Sequence, residues 1–327
     1  MDNENKNTRN LPSEIIEEEI LTRVSVKSAL RLRCVSKSWC SLIDNKHFIN
    51  KHSQNSTRRC RVIANIKFKE DIHSSFLHCS YLGDDKSSAS EDRSPIDNPR
   101  EVDDIHPLML GILVGQCNGL LCIWEIVEEC FILWNPATRI SVKLAKIVHD
   151  KDKKSKYGFG WDEQSGAYKV FVCDLEDGKS VAKVYSSKTN SWTSVERGCD
   201  SLTNGVGVFA YGRIQWMTTS GYIECFDLKS DVFETRMIKQ PFKPALKGLC
   251  VWLWESRGRL CIVCDSSRHT RRRVWVMVMN KNKNKNKEEF NWVEDEEETS
   301  QLDNKNIYGC HGAFSYFETL VSPALLS

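Results

Sequence analysis

The chain lacks the features that announce several common functions. Its 327 residues carry 46 Lys+Arg against 44 Asp+Glu, a formal net charge of +2. That is too weak a field for bulk binding to nucleic acid or to an anionic membrane surface. The first ten residues, MDNENKNTRN, contain no apolar core of a secretory signal. Cys261 and Cys264 form a solitary CxxC, and no HExxH is present. Positions three apart in a strand face opposite sides, so the pair is not expected to share a metal. Asp177-Gly178-Lys179-Ser180 contains the GKS of a phosphate loop, but Cys173 stands where the loop's first glycine belongs. Without that cradle the segment reads as a hairpin turn. The eight histidines (47, 52, 73, 78, 106, 149, 269 and 311) are isolated, and none is placed beside a nucleophile and an orienting acid. The expectation is therefore no catalytic residue, no metal and no cofactor.

Two features that are present need a second reading. The 14 cysteines are scattered singly through apolar stretches. Without a leader they read as small buried hydrophobes in a reducing compartment, which places the chain in the cytoplasm, the nucleus or both. Asn55-Ser56-Thr57 then becomes a chance sequon. Residues 108–124, LMLGILVGQCNGLLCIW, resemble a membrane span with a Gly111/Gly115/Gly119 row. Gln116 and Asn118 sit at its middle, however, and Asn-Gly between two apolar arms is a strong hairpin signal. Two buried strands are expected, Ile112–Cys117 and Leu120–Trp124, and no membrane partner.

Residues 11–49 are patterned for helices. Leu11-Pro12 opens the first, since proline is tolerated where its missing N–H costs nothing. Glu14, Glu17, Glu18 and Glu19 complement the positive end of its dipole, and Ile15, Ile16, Ile20 and Leu21 give it an apolar face. A second short helix begins near Ser25-Val26 and carries Leu30 and Cys34; a third carries Trp39, Leu42 and Ile43. Three helices in so few residues borrow burial from elsewhere, either as a docking module or as a cap on the main domain.

From about residue 60 the period switches to two. Strand-like runs include Arg61–Phe68, Phe131–Trp134, Tyr168–Cys173, Val206–Ala210, Cys250–Trp254 and Val274–Met279, separated by Gly, Asn, Asp and Ser turns. Gly119, Gly166, Gly212 and Gly258 each precede an apolar strand at spacings of 47, 46 and 46 residues. A second signature follows in register: LWNPATR (133–139), VYSSKTNSW (184–192), CFDLKSDVF (225–233), then VMVMNK with FNW (276–292). A repeat of this length with four short strands per unit suits the blades of a β-propeller. Trp124, Trp134, Trp192 and Trp216 are expected in blade cores. The alternating stretch around NKNKNKNK (280–287) and EDEEE (294–298) reads as a solvated loop or a strand extension, and Arg268, His269 and Arg271–Arg273 as a hairpin loop. Ser87–Glu101 reads as loop or disorder.

The run LPSEIIEEEILTRVSVKSALRLRCVSKSWCSLI, Leu11–Ile43, resembles the F-box of plant F-box proteins, with RCVSKSW as its most specific part. GQCNGLLCI, ILWNPATR, YGFGWD with YKV, VYSSKTNSW, GRIQW, ECFDL and FSYFETLVSP resemble, in order, the F-box-associated domain that follows it. The resemblance implies a mainly β protein with a small α module. A three-helix F-box over residues 8–50 would be followed by a kelch-like β-propeller over 60–323, with about five or six blades. The short interval between residues 60 and 110 leaves room for an incomplete blade, and strands near Arg61–Tyr81 are expected to pair with Ala313–Val321. The implied partners are a SKP-type adaptor, through it a cullin ubiquitin ligase, and a target protein of unknown identity. Leu11, Pro12, Ile15, Ile20, Leu21, Val26, Leu30, Val35 and Trp39 are the implied adaptor-docking positions. Substrate-binding residues remain unassigned, because loops carry specificity.

Two departures from the family pattern stand out. Val24-Ser25 replaces the second Leu-Pro, and EIIEEEIL is one residue longer than usual. One residue turns a helix by about 100°, so either a bulge absorbs it or the docking face is misaligned. Weaker adaptor binding than in typical members is the expectation. A free-standing interaction protein with a degenerate F-box is the alternative; a propeller hydrolase lacks any clustered acid–base pattern.

Overall fold

A computed structural model describes residues 12–55, 60–67, 75–82, 111–147, 155–176, 179–195, 205–218, 222–239, 249–256, 258–266, 273–282, 287–296 and 313–326. Leu11, the Ser87–Glu101 stretch and Arg268 to Arg272 lie outside them.

The helical module has four α-helices among the described residues, not three. They are α1 (Ser13–Ile15), α2 (Val26–Leu32), α3 (Lys37–Ile43) and α4 (Lys46–Asn55). The fourth escapes a sequence reading because KHFINKHSQN is mostly polar; its inward stripe is only Phe48, Ile49 and His52. That stripe closes a core with Leu21, Val26, Ala29 and Ile43.

Twenty strands follow among the described residues. They are β1 (Cys60–Lys67), β2 (Ser75–Leu82), β3 (Gly111–Cys117), β4 (Leu120–Glu125), β5 (Cys130–Asn135), β6 (Ile140–Lys143), β7 (Ser155–Asp162), β8 (Ala167–Glu176), β9 (Lys179–Ser186), β10 (Ser191–Val195), β11 (Gly205–Val206), β12 (Val208–Ala210), β13 (Arg213–Met217), β14 (Tyr222–Asp227), β15 (Val232–Lys239), β16 (Leu249–Ser256), β17 (Arg259–Ser266), β18 (Arg273–Asn282), β19 (Lys287–Glu294) and β20 (Ala313–Phe317). They form five sheets. Four are antiparallel meanders: β3 to β6, β7 to β10, β12 to β15 and β16 to β19. The second also takes β11 alongside β7 in parallel.

The repeat read from the sequence is therefore one sheet long. Gly119, Gly166, Gly212 and Gly258 all lie between the first and second strands of their sheets with positive φ. The second signature marks the connection from third to fourth strand in each of the four meanders. The charged stretch around 280–287 is shared between β18 and β19, whose ends pair Asn282 with Lys287.

The fifth sheet has the order β2-β1-β20, with Cys60 opposite Phe317 and Ala64 opposite Ala313. The expected pairing of the early strands with the last one is present, but it stops at Phe317. The next residues leave the sheet, and their destination proves important for the site.

Successive sheets pack face to face. Trp124, Phe131, Phe159 and Tyr168 fill the space between the first and second meanders. Phe171, Trp216 and Phe226 fill the next, and Val208, Ile223, Ile262 and Met277 the third. Indole N–H groups bond across these seams, Trp192 Nε1 to the Ala145 carbonyl at 2.7 Å and Trp216 Nε1 to the Tyr157 carbonyl at 2.9 Å. Of the four tryptophans expected in the core, Trp124 and Trp216 are buried, while Trp134 and Trp192 are only half-buried. Two buried cations join the second and third meanders, Lys156 to Glu224 at 2.6 Å and Lys169 to Asp231 at 2.8 Å. Cys261 and Cys264 are both buried, and burial pushes the Cys264 thiol up to about 12, so it stays protonated.

Candidate docking surface and the junction behind it

After α1 the helix widens into a π segment, Ile16–Ile20, in which the Leu21 N–H bonds the Ile16 carbonyl. A 3₁₀ turn, Leu21–Arg23, follows. A π turn accommodates one additional residue, so the extra residue in EIIEEEIL is taken up here as a bulge. Past the bulge Leu21 and Thr22 face inward, and Thr22 Oγ1 donates to the Glu18 carbonyl at 2.8 Å. The acidic row faces water. Glu18 pairs with Lys51 on α4, and that ammonium holds its carboxyl below the usual range.

The missing second Leu-Pro is also compensated. Ser25 sits at the start of α2 with φ −63°, and its Oγ accepts the Ser28 N–H at 3.1 Å. Ser36 caps α3 in the same way through the Trp39 N–H, at 3.2 Å. Such caps contribute about 1 kcal/mol. Ser25→Ala should lower stability by about that amount in urea unfolding, whereas Ser25→Pro, whose ring suits the observed φ, should stay within about 1 kcal/mol of the parent.

The structure divides the sequence-expected docking positions. Ile15, Ile20 and Val35 are 43%, 44% and 62% exposed. Pro12 is exposed, and Leu30 and Trp39 are half-buried. Leu21 and Val26 are buried in the module's own core. Eight of the nine positions are thus described, some exposed and others part of the module's own core, while Leu11 lies outside the described residues.

Between the helical core and the first meander lies a junction that sequence reasoning missed. Residues 318–322, released from β20, run between the helices and the first meander. Leu320 joins the helical core, and Val321 touches both that core and the sheet core. Asn135, fully buried at the end of β5, donates from Nδ2 to the carbonyls of Thr319 (2.9 Å) and Val321 (2.6 Å). Its Oδ1 accepts the N–H groups of Ala137 and Thr138 at 2.9 and 3.4 Å. Thr319 Oγ1 donates to the Asn118 carbonyl at 3.1 Å. The motifs CNGL, WNPATR and FETLVSP thus meet at one place, a convergence that no spacing along the chain reveals. On the outer side a cleft of about 680 Å³ opens between α4 and the turns of the second meander, lined by Lys46, Ile49, Trp161, Tyr168, Lys188 and Val321.

His52 secures α4 to the same core. Its ring is buried, with Nε2 2.9 Å from the Val24 carbonyl and its centroid 6.0 Å from that of Phe48. Nε2 must carry the proton to donate there. Burial holds its pKa below the ordinary value, opposed in part by the Val24 carbonyl. A depressed folded-state value means that the unfolded chain takes up the proton first. This contribution is complete above about pH 6.5 and is lost as pH falls through the lower folded value. His52→Gln can still donate to Val24 but cannot titrate. The parent should lose more melting temperature than this variant between pH 7.5 and pH 5.

Among the described residues no group of three or more His, Cys, Asp or Glu is placed to hold a metal ion, and no helix is long and apolar enough to cross a membrane.

Residues 9–51 match the F-box domain family, and residues 112–317 match the F-box associated beta propeller domain. An F-box/kelch-repeat protein of Arabidopsis thaliana is 28% identical over 295 residues, which is 82% of this chain and 75% of the relative. Another Arabidopsis thaliana relative of the F-box kind, 27% identical over 276 residues or 81% of this chain, is matched over 58% of its own length. Among solved structures, TolB from Acinetobacter baumannii aligns over 71% of this chain and 52% of its own at 8% identity, with a TM-score of 0.39. With the helical module matching one domain and most of the sheet region the other, the chain belongs to the F-box family whose members carry an F-box associated beta propeller domain.

Proposed function

We propose that the chain is the target-recognition subunit of a SKP–cullin–F-box ubiquitin ligase. One observation carries this reading: Ile15, Ile20 and Val35 stand exposed on a small helical module whose other large side chains are spent on its own core. Isolated apolar side chains on a surface are ordinary; we read these three, on one small module that also carries the half-buried Trp39, as a protein-docking face. Leu11, Pro12, Ile15, Ile20, Val35 and Trp39 would meet the adaptor, while Leu21, Val26 and Leu30 hold them in place from inside.

For the β region we propose a five-bladed ring that holds the target. Its support is the cyclic neighbour order of one strand from each sheet: β3 beside β7, β7 beside β12, β12 beside β16, β16 beside β20, and β20 beside β3. Gln116 Nε2 also donates to Glu255 Oε2 at 2.8 Å, tying the first meander to the fourth. The chain would supply no catalytic residue and use no cofactor. It would act by proximity, raising the effective concentration of a target near the charged ubiquitin, in the cytoplasm, the nucleus or both.

The test is co-expression of the full chain with a SKP-type adaptor and a cullin, followed by size exclusion. Co-elution of all three is expected. A chain that elutes alone overturns the ligase reading and leaves an adaptor-independent interaction module.

A further inference from the structure

We propose that Asn135 is a positioning residue: through the segment 318–322 it locks the helical module to the sheets and so fixes the direction in which the two binding faces point. The chain passes from α4, which ends at Asn55, to β1, which begins at Cys60, and a single covalent connection does not by itself fix how two bodies are oriented. The segment after β20 supplies a second attachment. Leu320 is buried among Leu21, Val26, Ile43 and Phe48 of the helices. The carbonyls on either side of it are held by Asn135 of the first meander.

The identity of the residue at 135 carries the argument. Asp162 and Asp227 occupy comparable turns after β7 and β14. Asp162 accepts N–H groups two and three residues on, Gln164 at 3.0 Å and Ser165 at 3.4 Å. Asp227 does the same with Lys229 at 2.7 Å and Ser230 at 3.1 Å. Asn135 performs that task with Oδ1. At 162 and 227 the carboxylates also face cations, Lys169 at 3.2 Å and Arg213 at 3.7 Å. At 135 the same side faces two carbonyl oxygens, which only a donor can satisfy. The turn alone accepts Asp, so the requirement for an amide comes from the segment 318–322. All four hydrogen-bonding positions of the Asn135 side chain are used, two donors and two acceptor sites, and the amide orientation is fixed by them.

Asn135→Asp is nearly isosteric, preserves the turn, and replaces two donations by repulsion between a carboxylate and two carbonyls. Thr319→Val is the second variant; it keeps the volume and removes only the donation to the Asn118 carbonyl. The first readout is amine cross-linking of the full chain at pH 8 with mass spectrometry. Lys46 on α4 and Lys188 in the β9–β10 turn line the same cleft from the two sides of the junction. In the parent the Lys46–Lys188 link should form readily. In Asn135→Asp its yield should fall about tenfold relative to the Lys46–Lys51 link within α4, because the second attachment no longer raises the effective concentration of one side at the other. Thr319→Val should show a smaller fall in the same direction. A folded Asn135→Asp chain, with its melting transition intact, that keeps the parent's cross-link ratio overturns the proposal; should that variant not fold, an unchanged ratio in Thr319→Val does so.

The consequence for ubiquitin transfer rests on the ligase reading and has its own readout. In an assembly reconstituted with adaptor and cullin, Asn135→Asp should bind the adaptor as the parent does. The ubiquitylated lysines on the receptor itself, used here as the probe, should spread over more positions. A purely structural role predicts fewer modified chains with an unchanged pattern, and that result counts against positioning. A parent chain that does not bind adaptor fails the ligase reading alone, since the cross-link comparison does not involve the adaptor.

Discussion

Gly119→Ala is expected to lower stability by about 3 kcal/mol, the sum of a left-handed backbone and an overpacked neighbour. Gly119 has φ +75°, where a side chain costs about 1 kcal/mol. A Cβ built there would also lie 2.2 Å from Thr319 Oγ1, 2.6 Å from Thr319 Cγ2 and 2.8 Å from the Phe317 carbonyl oxygen. Backbone on one side and a buried threonine on the other leave no easy retreat. Gly166 and Gly212 provide the controls: their φ values are +66° and +74°, and a Cβ at either meets nothing within 4 Å. Gly166→Ala and Gly212→Ala should therefore cost only the backbone part, about 1 kcal/mol each. Thermal unfolding of the three variants separates the two contributions. If Gly119→Ala melts with the other two, the approach of the segment after β20 to this turn does not matter for stability.

The largest effect on binding is expected from Ile15→Asp combined with Val35→Asp. Apolar anchors at the centre of an interface typically carry about 2 kcal/mol or more each, so the double variant should bind the adaptor more than about 100-fold more weakly. Both side chains are exposed in the free chain, 43% and 62%, and exposed substitutions of this kind change stability little. The melting temperature should thus stay within a few degrees of the parent. Leu21→Ala makes the contrast. Its side chain is buried with Val26, Ile43 and Phe48, and its loss should cost about 2 to 5 kcal/mol of folding free energy. Adaptor binding by Leu21→Ala should weaken only in step with the unfolded fraction. Titration calorimetry alongside thermal unfolding reads both quantities. A double aspartate variant that binds normally would remove Ile15 and Val35 from the docking face.

How much of this was legible in the sequence follows from how local the determinants are. Turn glycines were legible because positive φ is a demand of one or two residues on their own backbone, and Gly119, Gly166, Gly212 and Gly258 meet it at the same point of four sheets. The second signature was legible for the same reason: a residue such as Asp227 bonds backbone two and three positions away. The extra residue in EIIEEEIL showed as a mismatch in length, but a bulge and a rotated face have the same spelling, and only the Leu21 N–H to Ile16 carbonyl bond distinguishes them. α4 was not legible, because it is mostly polar and its short buried stripe, Phe48, Ile49 and His52, joins a core that includes Leu320 from far along the sequence. Buried Lys156 and Lys169 likewise depend on acidic partners in the next sheet. For the candidate site, the nine proposed docking positions came from resemblance, while the separation of the described ones into exposed and buried needed the structure.

The bond between Asn135 and the Thr319 carbonyl spans 184 positions of chain, and this has a consequence for the order of events in folding. Contacts of such long range pay their closure entropy late and slow the step that makes them. During synthesis the helices emerge first, yet Leu320, which completes their core, is made only after every strand of the four meanders. A nascent chain stalled before residue 318 presents Ile15, Ile20 and Val35 on helices whose core is still open. Completion of the amino-terminal helical core thus requires a residue synthesised after all four meanders.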